Sequence, residues 1–165
     1  EKIEKLNENT YYHAYVTLEK AMEYGEFVDF IESYDFDSVW CAPIVSECFD
    51  TFNNVGFFYN QESGKVLEWD EKLYPTLQLW NMESDAMKNN MNATQHFTDM
   101  LSYMVEQKEF CKMLGVDTTE LMEQKQYVKN NGLYIHGFMI TDLKENILEI
   151  FEEEQVYTIY ITKIN

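Results

Sequence analysis

This sequence predicts an α+β fold: a duplicated split βαβ sheet of the ferredoxin-like kind, with a β-hairpin and a helical insertion between the two units. Three observations predict it. Residues 133–165 read as one strand, helix, strand unit; an N-terminal stretch repeats that unit in order and spacing; and the region between them carries helical stripes with no counterpart in either unit.

In the C-terminal unit, Leu133, Tyr134, Ile135, His136, Gly137, Phe138, Met139 and Ile140 form an aromatic and β-branched run after the turn signal Asn130, Asn131 and Gly132, which predicts a strand. Asp142 with Glu145 three positions on has the capping-box pattern, and Ile147, Leu148, Ile150 and Phe151 follow at helical spacing. Val156, Ile159 and Ile161, interleaved with Tyr157, Thr158, Tyr160 and Thr162, predict the second strand. In the N-terminal unit, Tyr12, His13, Ala14, Tyr15, Val16 and Thr17 overlay residues 135–140 one for one. After a three-residue difference in the connection, Phe27, Val28, Phe30 and Ile31 overlay Ile147, Leu148, Ile150 and Phe151. Val39, Trp40, Cys41 and Ile44 then overlay Ile159, Tyr160, Ile161 and Ile164. In the split plan the first strands of the two units are neighbours at the sheet centre, and both unit helices pack on one face.

Pro43 removes a ladder donor and predicts an edge or the end of its strand. Residues 55–59 and 65–69 flank a polar, Gly-bearing loop and read as a hairpin. The insertion spans about residues 84–130. It holds a helix over about 93–114, closed by Gly115, with Ser84 as an earlier cap candidate. A second helix is opened by Asp117 and Glu120 and ends at Asn130 and Asn131. Its Met87, Met91, Phe97, Met100, Leu101, Met104 and Tyr127 need a surface, and the sheet face opposite the unit helices is the expected one. The overlay places Tyr15, Thr17, Phe138 and Ile140 on that face, with Ala14, Val16, Gly137 and Met139 on the other. Residues 1–9 read as a leader and residues 10–165 as a single domain. The chain opens on Glu1, so a preceding segment with room for a membrane anchor is expected.

The 12 basic residues, all Lys, face 30 Asp and Glu, for a net charge of -18. Nucleic-acid binding draws on a basic stripe that displaces counterions and on Arg for bidentate recognition; both are missing, which excludes nucleic acid as a partner. No apolar stretch reaches the length of a membrane helix. The three cysteines, Cys41, Cys48 and Cys111, show neither CxxC pairing nor a His neighbour at ligand spacing, so no metal site is predicted; Cys41 and Cys111 read as buried thiols.

None of the nucleotide, calcium, zinc-protease or serine-hydrolase motifs is present, so no catalytic residue and no cofactor are predicted. Glu152, Glu153 and Glu154 read as a solvated helix end, and His96 as a surface residue. His13 and His136 hold equivalent positions in the two matched strands; with Tyr15 and Phe138 they form the candidate site for a ligand or partner. A small acidic enzyme with a His/Tyr pocket between sheet and insertion is the alternative.

Four patches then give the chain a family likeness. They are residues 12–18, opening Tyr12, His13, Ala14; Val39 and Trp40 with Gly56, Phe57 and Phe58; residues 96–101 from His96 to Leu101; and residues 131–138 from Asn131 to Phe138. In these the chain resembles the sigma factor regulator C-terminal domain of membrane anti-sigma factors from Gram-positive bacteria. The resemblance implies a non-catalytic extracytoplasmic sensor or regulatory domain that answers an unidentified small-molecule or protein signal. It also implies a membrane helix and a sigma-binding segment, neither of them within this chain.

Overall fold

The computed structural model describes residues 6–36, 38–47, 55–59, 72–73 and 88–164. In chain order the elements are β1 (Tyr11–Glu23), α1 (Tyr24–Ile31), β2 (Val39–Pro43), β3 (Phe57–Phe58), α2 (Asn90–Glu106), α3 (Lys108–Met113), α4 (Thr118–Asn131), β4 (Tyr134–Leu143), α5 (Lys144–Phe151) and β5 (Val156–Lys163). The fold is α+β. Its five strands form one sheet in the order β3-β2-β4-β1-β5, with every pairing antiparallel. β1 and β2 therefore run the same way with β4 between them, and β4 and β5 run the same way with β1 between them. The first strands of the two units are neighbours at the centre.

Period-2 alternation decides which side of the sheet is dry. Tyr12, Ala14, Val16 and Leu18 are buried on β1, and the residues between them are exposed or half-buried. Val16 stands opposite Phe138 and Ala14 opposite Ile140, so those four share one face. Val39 and Cys41 extend it through their pairings with Ile140 and Phe138, and Phe57 through its pairing with Cys41. α1 lies on this face, its Phe27 ring 5.5 Å from Phe138. α5 contacts β4, β5 and β1 and buries Ile147 and Ile150. A Tyr34 hydroxyl donating to Glu153 at 2.5 Å ties the end of α1 to the end of α5.

The insertion packs on the same face, which corrects the sequence-based expectation. α2 contacts α1 and α4, and its Phe97 and His96 rings lie 5.5 and 6.1 Å from Phe57. His96 is buried by this contact, not at the surface as its position in the stripe predicted. The face assignment of β4 is corrected for a related reason. The overlay of Tyr12 on Ile135 uses an odd offset, and a one-residue slip turns every side chain over. Phe138 and Ile140 consequently join Ala14 and Val16 in the core, while Gly137 and Met139 join Tyr15 and Thr17 on the other side.

A bulge accompanies that change of parity. Ala42 pairs with Gly137 but Pro43 pairs with Ile135, so β4 has one residue too many at His136. Across the sheet β1 skips from Thr17 to Met22 at the same level. A Cβ on Gly137 would stand 2.6 Å from the Val16 carbonyl oxygen, which explains the glycine. Pro43 is the last residue of β2, as its missing donor predicted.

The helix ends follow local chemistry. Asn89 is the N-cap of α2, its Oδ1 accepting from Met91 and Asn92 amides, so an Asn that is a poor interior residue is used at an end. The predicted 93–114 helix is two helices broken at Gln107, and the Cys111 thiol donates to the Met104 carbonyl across the break. Asp117 caps α4 through the Thr119 amide. Asp142 is still in β4 and accepts from Leu143 and Asn146, in place of a capping box with Glu145. Residues 65–69 and Ser84 lie outside the described residues.

Phe97 and Leu101 are fully buried. Phe97→Ala and Leu101→Ala should each cost about 2–5 kcal/mol through the cavity left behind, whereas Glu109→Gln on the exposed side of α3 should stay within about 0.5 kcal/mol of wild type. Gly137→Ala should cost about 1–3 kcal/mol by forcing β1 and β4 apart. Urea unfolding midpoints measure all four, and a wild-type midpoint for Phe97→Ala would mean that α2 is not part of the core.

Candidate functional site

The described helices lie on one side of the sheet, and the residues of the other side are read directly from the cross-strand pairs. One row crosses all five strands: Phe58 opposite Trp40, Trp40 opposite Met139, Met139 opposite Tyr15, and Tyr15 opposite Tyr160. On one side of it lies Ala42, Gly137, Thr17, Thr158, and on the other Thr141, His13, Thr162. These three rows hold no Asp, Glu or Lys, in a chain with 30 acidic residues. Tyr15 is 38% exposed and Tyr160 69% exposed, with their ring centroids 6.1 Å apart. Thr17 and Thr158 are exposed, and Trp40 and Met139 are half-buried.

Such a surface suits contact. Aromatic side chains offer rigid contact area, methionine offers an adaptable apolar one, and threonine hydroxyls offer adaptable hydrogen bonds. His13 belongs to the face: its Nδ1 and Thr141 Oγ1 are 2.7 Å apart, a cross-strand hydrogen bond whose donor follows the tautomer. That bond holds the imidazole along the sheet.

The structure brings two of the four sequence-predicted site residues together. His13 and Tyr15 share the open face. Phe138 is 2% exposed and faces the opposite way, between Phe27 and Phe30. His136 sits at the bulge, five residues along β4 from the Thr141 that opposes His13, so roughly 16 Å of strand separates the two histidines. Antiparallel strands place equivalent positions at opposite ends, and that keeps the pair from meeting. Three surface cavities, of about 340, 380 and 420 Å³, have no histidine in their linings. Trp40, Met139 and Tyr160 are the members that sequence reasoning missed. Their signal was alternation: each falls at the outward parity of its strand.

Burial pushes the Cys41 thiol and the Tyr24 phenol well up, and burial followed by the neighbouring Glu153 carboxylate pushes Tyr34 up to about 12. Cys41 and Cys111 are free and buried, as their apolar settings predicted; Cys48 lies outside the described residues.

Among known families, the one described as sigma factor regulator C-terminal matches the chain over residues 3–162. No curated protein and no solved structure matches the chain.

Desolvation lowers the His136 imidazole below its ordinary value of 6.5. Protonation is therefore easier in the unfolded chain, which binds the extra proton between 6.5 and the lower folded value, and stability rises with pH across that window. The contribution is complete above 6.5 and is lost as the pH falls. His136→Gln should make the decline in urea midpoint between about pH 7.5 and about pH 5.5 shallower than in wild type. Equal slopes would show that His136 is as easily protonated folded as unfolded.

Proposed function

The chain belongs to the sigma factor regulator C-terminal family, and on that premise we propose that it is the non-catalytic regulatory domain of an anti-sigma factor, acting through contacts made on the open sheet face. The domain is held on the extracytoplasmic side of the cell membrane as part of a longer membrane protein. It answers a small-molecule or protein signal there and alters how a separate segment of the protein holds the sigma factor. Among the described residues no helix is long and apolar enough to cross a membrane, so the reading assigns anchoring to another segment.

The observation that carries the contact surface is the row Phe58, Trp40, Met139, Tyr15 and Tyr160, uncharged and open along one side of a strongly acidic chain. A monomer rarely leaves a contiguous apolar patch of this kind in water without a partner for it. His13 and Tyr15 stay in the proposed site, joined by Trp40, Met139 and Tyr160. Phe138 acts from beneath, as the core residue that sets the height of β4 against α1, and His136 acts at the bulge.

Tyr15→Ala combined with Tyr160→Ala removes exposed area and leaves the core untouched. In the full-length protein this pair should change sigma-dependent reporter transcription several-fold at unchanged protein abundance, while Glu109→Gln should not. A protease added outside intact cells should cleave the domain. Wild-type reporter output under both resting and inducing conditions would overturn the sheet face as the regulatory surface, and full protection from the protease would overturn the extracytoplasmic placement.

A further inference from the structure

The two edges of the sheet are not alike. β3 closes one side with two residues, whereas β5 closes the other with eight, and among the described residues only β1 pairs with it. Sheet edges are ordinarily blunted by a proline, a bulge or a row of charged side chains. β5 contains no Pro, and its one charged residue is Lys163 at the last position. Its pairing with β1 runs unbroken from Thr158 opposite Thr17 to Lys163 opposite Tyr12, and the register shifts only before Thr158, where Val156 takes Leu18 as partner. Over those six residues the backbone is regular, and every second residue turns both its N–H and its C=O away from β1. The side chains of this margin are unfinished too. Val156, Ile159 and Ile161 pack against the core yet stay half-buried, and Tyr157 and Tyr160 are 68% and 69% exposed.

The complement of an unpaired edge is another extended backbone, because a strand presents its donors and acceptors at the same repeat. Every pairing in this sheet is antiparallel, and an antiparallel addition sets the C-terminal end of the incoming strand beside the start of β5. Glu152 and Glu154 stand exposed just ahead of that start, with Glu153 between them. Basic residues at the C-terminal end of the incoming strand meet this charge, and apolar residues at every second position extend the margin of Ile159 and Ile161. A second copy of this chain is opposed by the net charge of -18 that each copy carries. We propose that β5 is a docking edge for an extended segment of a partner protein, added antiparallel as a further strand, with alternating apolar residues and a basic C-terminal end. The proposal concerns the backbone edge; it goes beyond the sheet-face reading and does not depend on it.

A chain of charge -18 attracts any cationic peptide, so the test must separate strand pairing from the field of the whole molecule. The probe is the acetylated and amidated peptide Thr-Val-Thr-Val-Thr-Val-Lys-Lys. Amide NMR of the 165-residue chain should show saturable binding, with shifts centred on residues 156–163 and nuclear Overhauser contacts between the peptide backbone and β5. Two further peptides carry N-methyl groups on one or the other alternating set of amides. In an antiparallel pair only one set points at the neighbour. One methylated peptide should therefore bind at least about tenfold more weakly, through lost backbone hydrogen bonds, and the other should stay within about threefold. Moving the two lysines to the N-terminal end of the peptide should weaken binding several-fold, as should Glu152→Gln with Glu154→Gln. Glu109→Gln with Glu123→Gln, an equal loss of charge on the exposed sides of α3 and α4, should change affinity less than about twofold. Equal effects of the two methylation sets, equal weakening by the two glutamate pairs, affinity unchanged by moving the lysines, shifts centred elsewhere, or no saturable binding overturns the proposal. A dimer of the free protein that shields residues 156–163 from the peptide would make a second copy the occupant and overturns it as well.

Discussion

Val16 lies opposite Phe138 and Ala14 opposite Ile140 in the central antiparallel pair, and the placement of the other elements follows from those pairings. Once they share a face, that face carries an aromatic and aliphatic surface that must be covered, and the connections out of β1 and β4 leave α1 and α5 on its side. Cys41 and Phe57 continue the surface past the central strands, so it is wider than two short helices can cover. α2 meets that need by setting Phe97 against Phe57, which explains why the insertion joins the existing helical layer instead of forming a second one. The described residues accordingly form two layers, as an antiparallel sheet with one wet side allows.

Much of this was legible in the sequence, and the parts that were not have a common cause. The strands, both unit helices and the paired order of the units follow from alternation and 3.6-residue spacing, which are local signals. The overlay of Trp40 on Tyr160 preserved facing, since its offset is even and strand side chains alternate; in the helices Phe27 and Ile147 are both buried, while Ile31 overlays the exposed Phe151. The overlay of Tyr12 on Ile135 crossed the bulge at His136, where a single extra residue exchanges inside for outside. Bulges leave little mark in a sequence; here the mark was Gly137, a residue without a Cβ at the close approach to Val16. Everything that depended on facing, including the side covered by the insertion and the grouping of Phe138 with Tyr15, was reversed with it. The histidine pair failed for a different reason, because equivalence in a repeat is not adjacency when the repeated strands run in opposite directions.

The candidate surface was half legible for the same reason. His13 and Tyr15 could be placed on one face because they lie two apart in one strand. Trp40, Met139 and Tyr160 could join them only once register was known, since each comes from a different strand and nothing local marks a side chain as opposite another. Register is the product of the whole hydrophobic pattern settling at once.

Charge decides what the open face can meet. With -18 on 165 residues, two copies approaching sheet to sheet bring like charge together along the rims of otherwise neutral rows. Screening does not remove that repulsion at contact, where rim groups stand within about 8 Å of one another, the screening length at physiological salt. The same charge guards β5, an edge strand that would otherwise offer its free backbone groups to a second copy. A partner with an apolar centre and a basic rim experiences the reverse, attraction during approach and burial of Trp40, Tyr15 and Tyr160 on arrival. The acidic composition therefore acts as a selectivity term for the sheet face: it does nothing to build the aromatic row, yet it disfavours pairing between copies and leaves the row available to a less acidic partner.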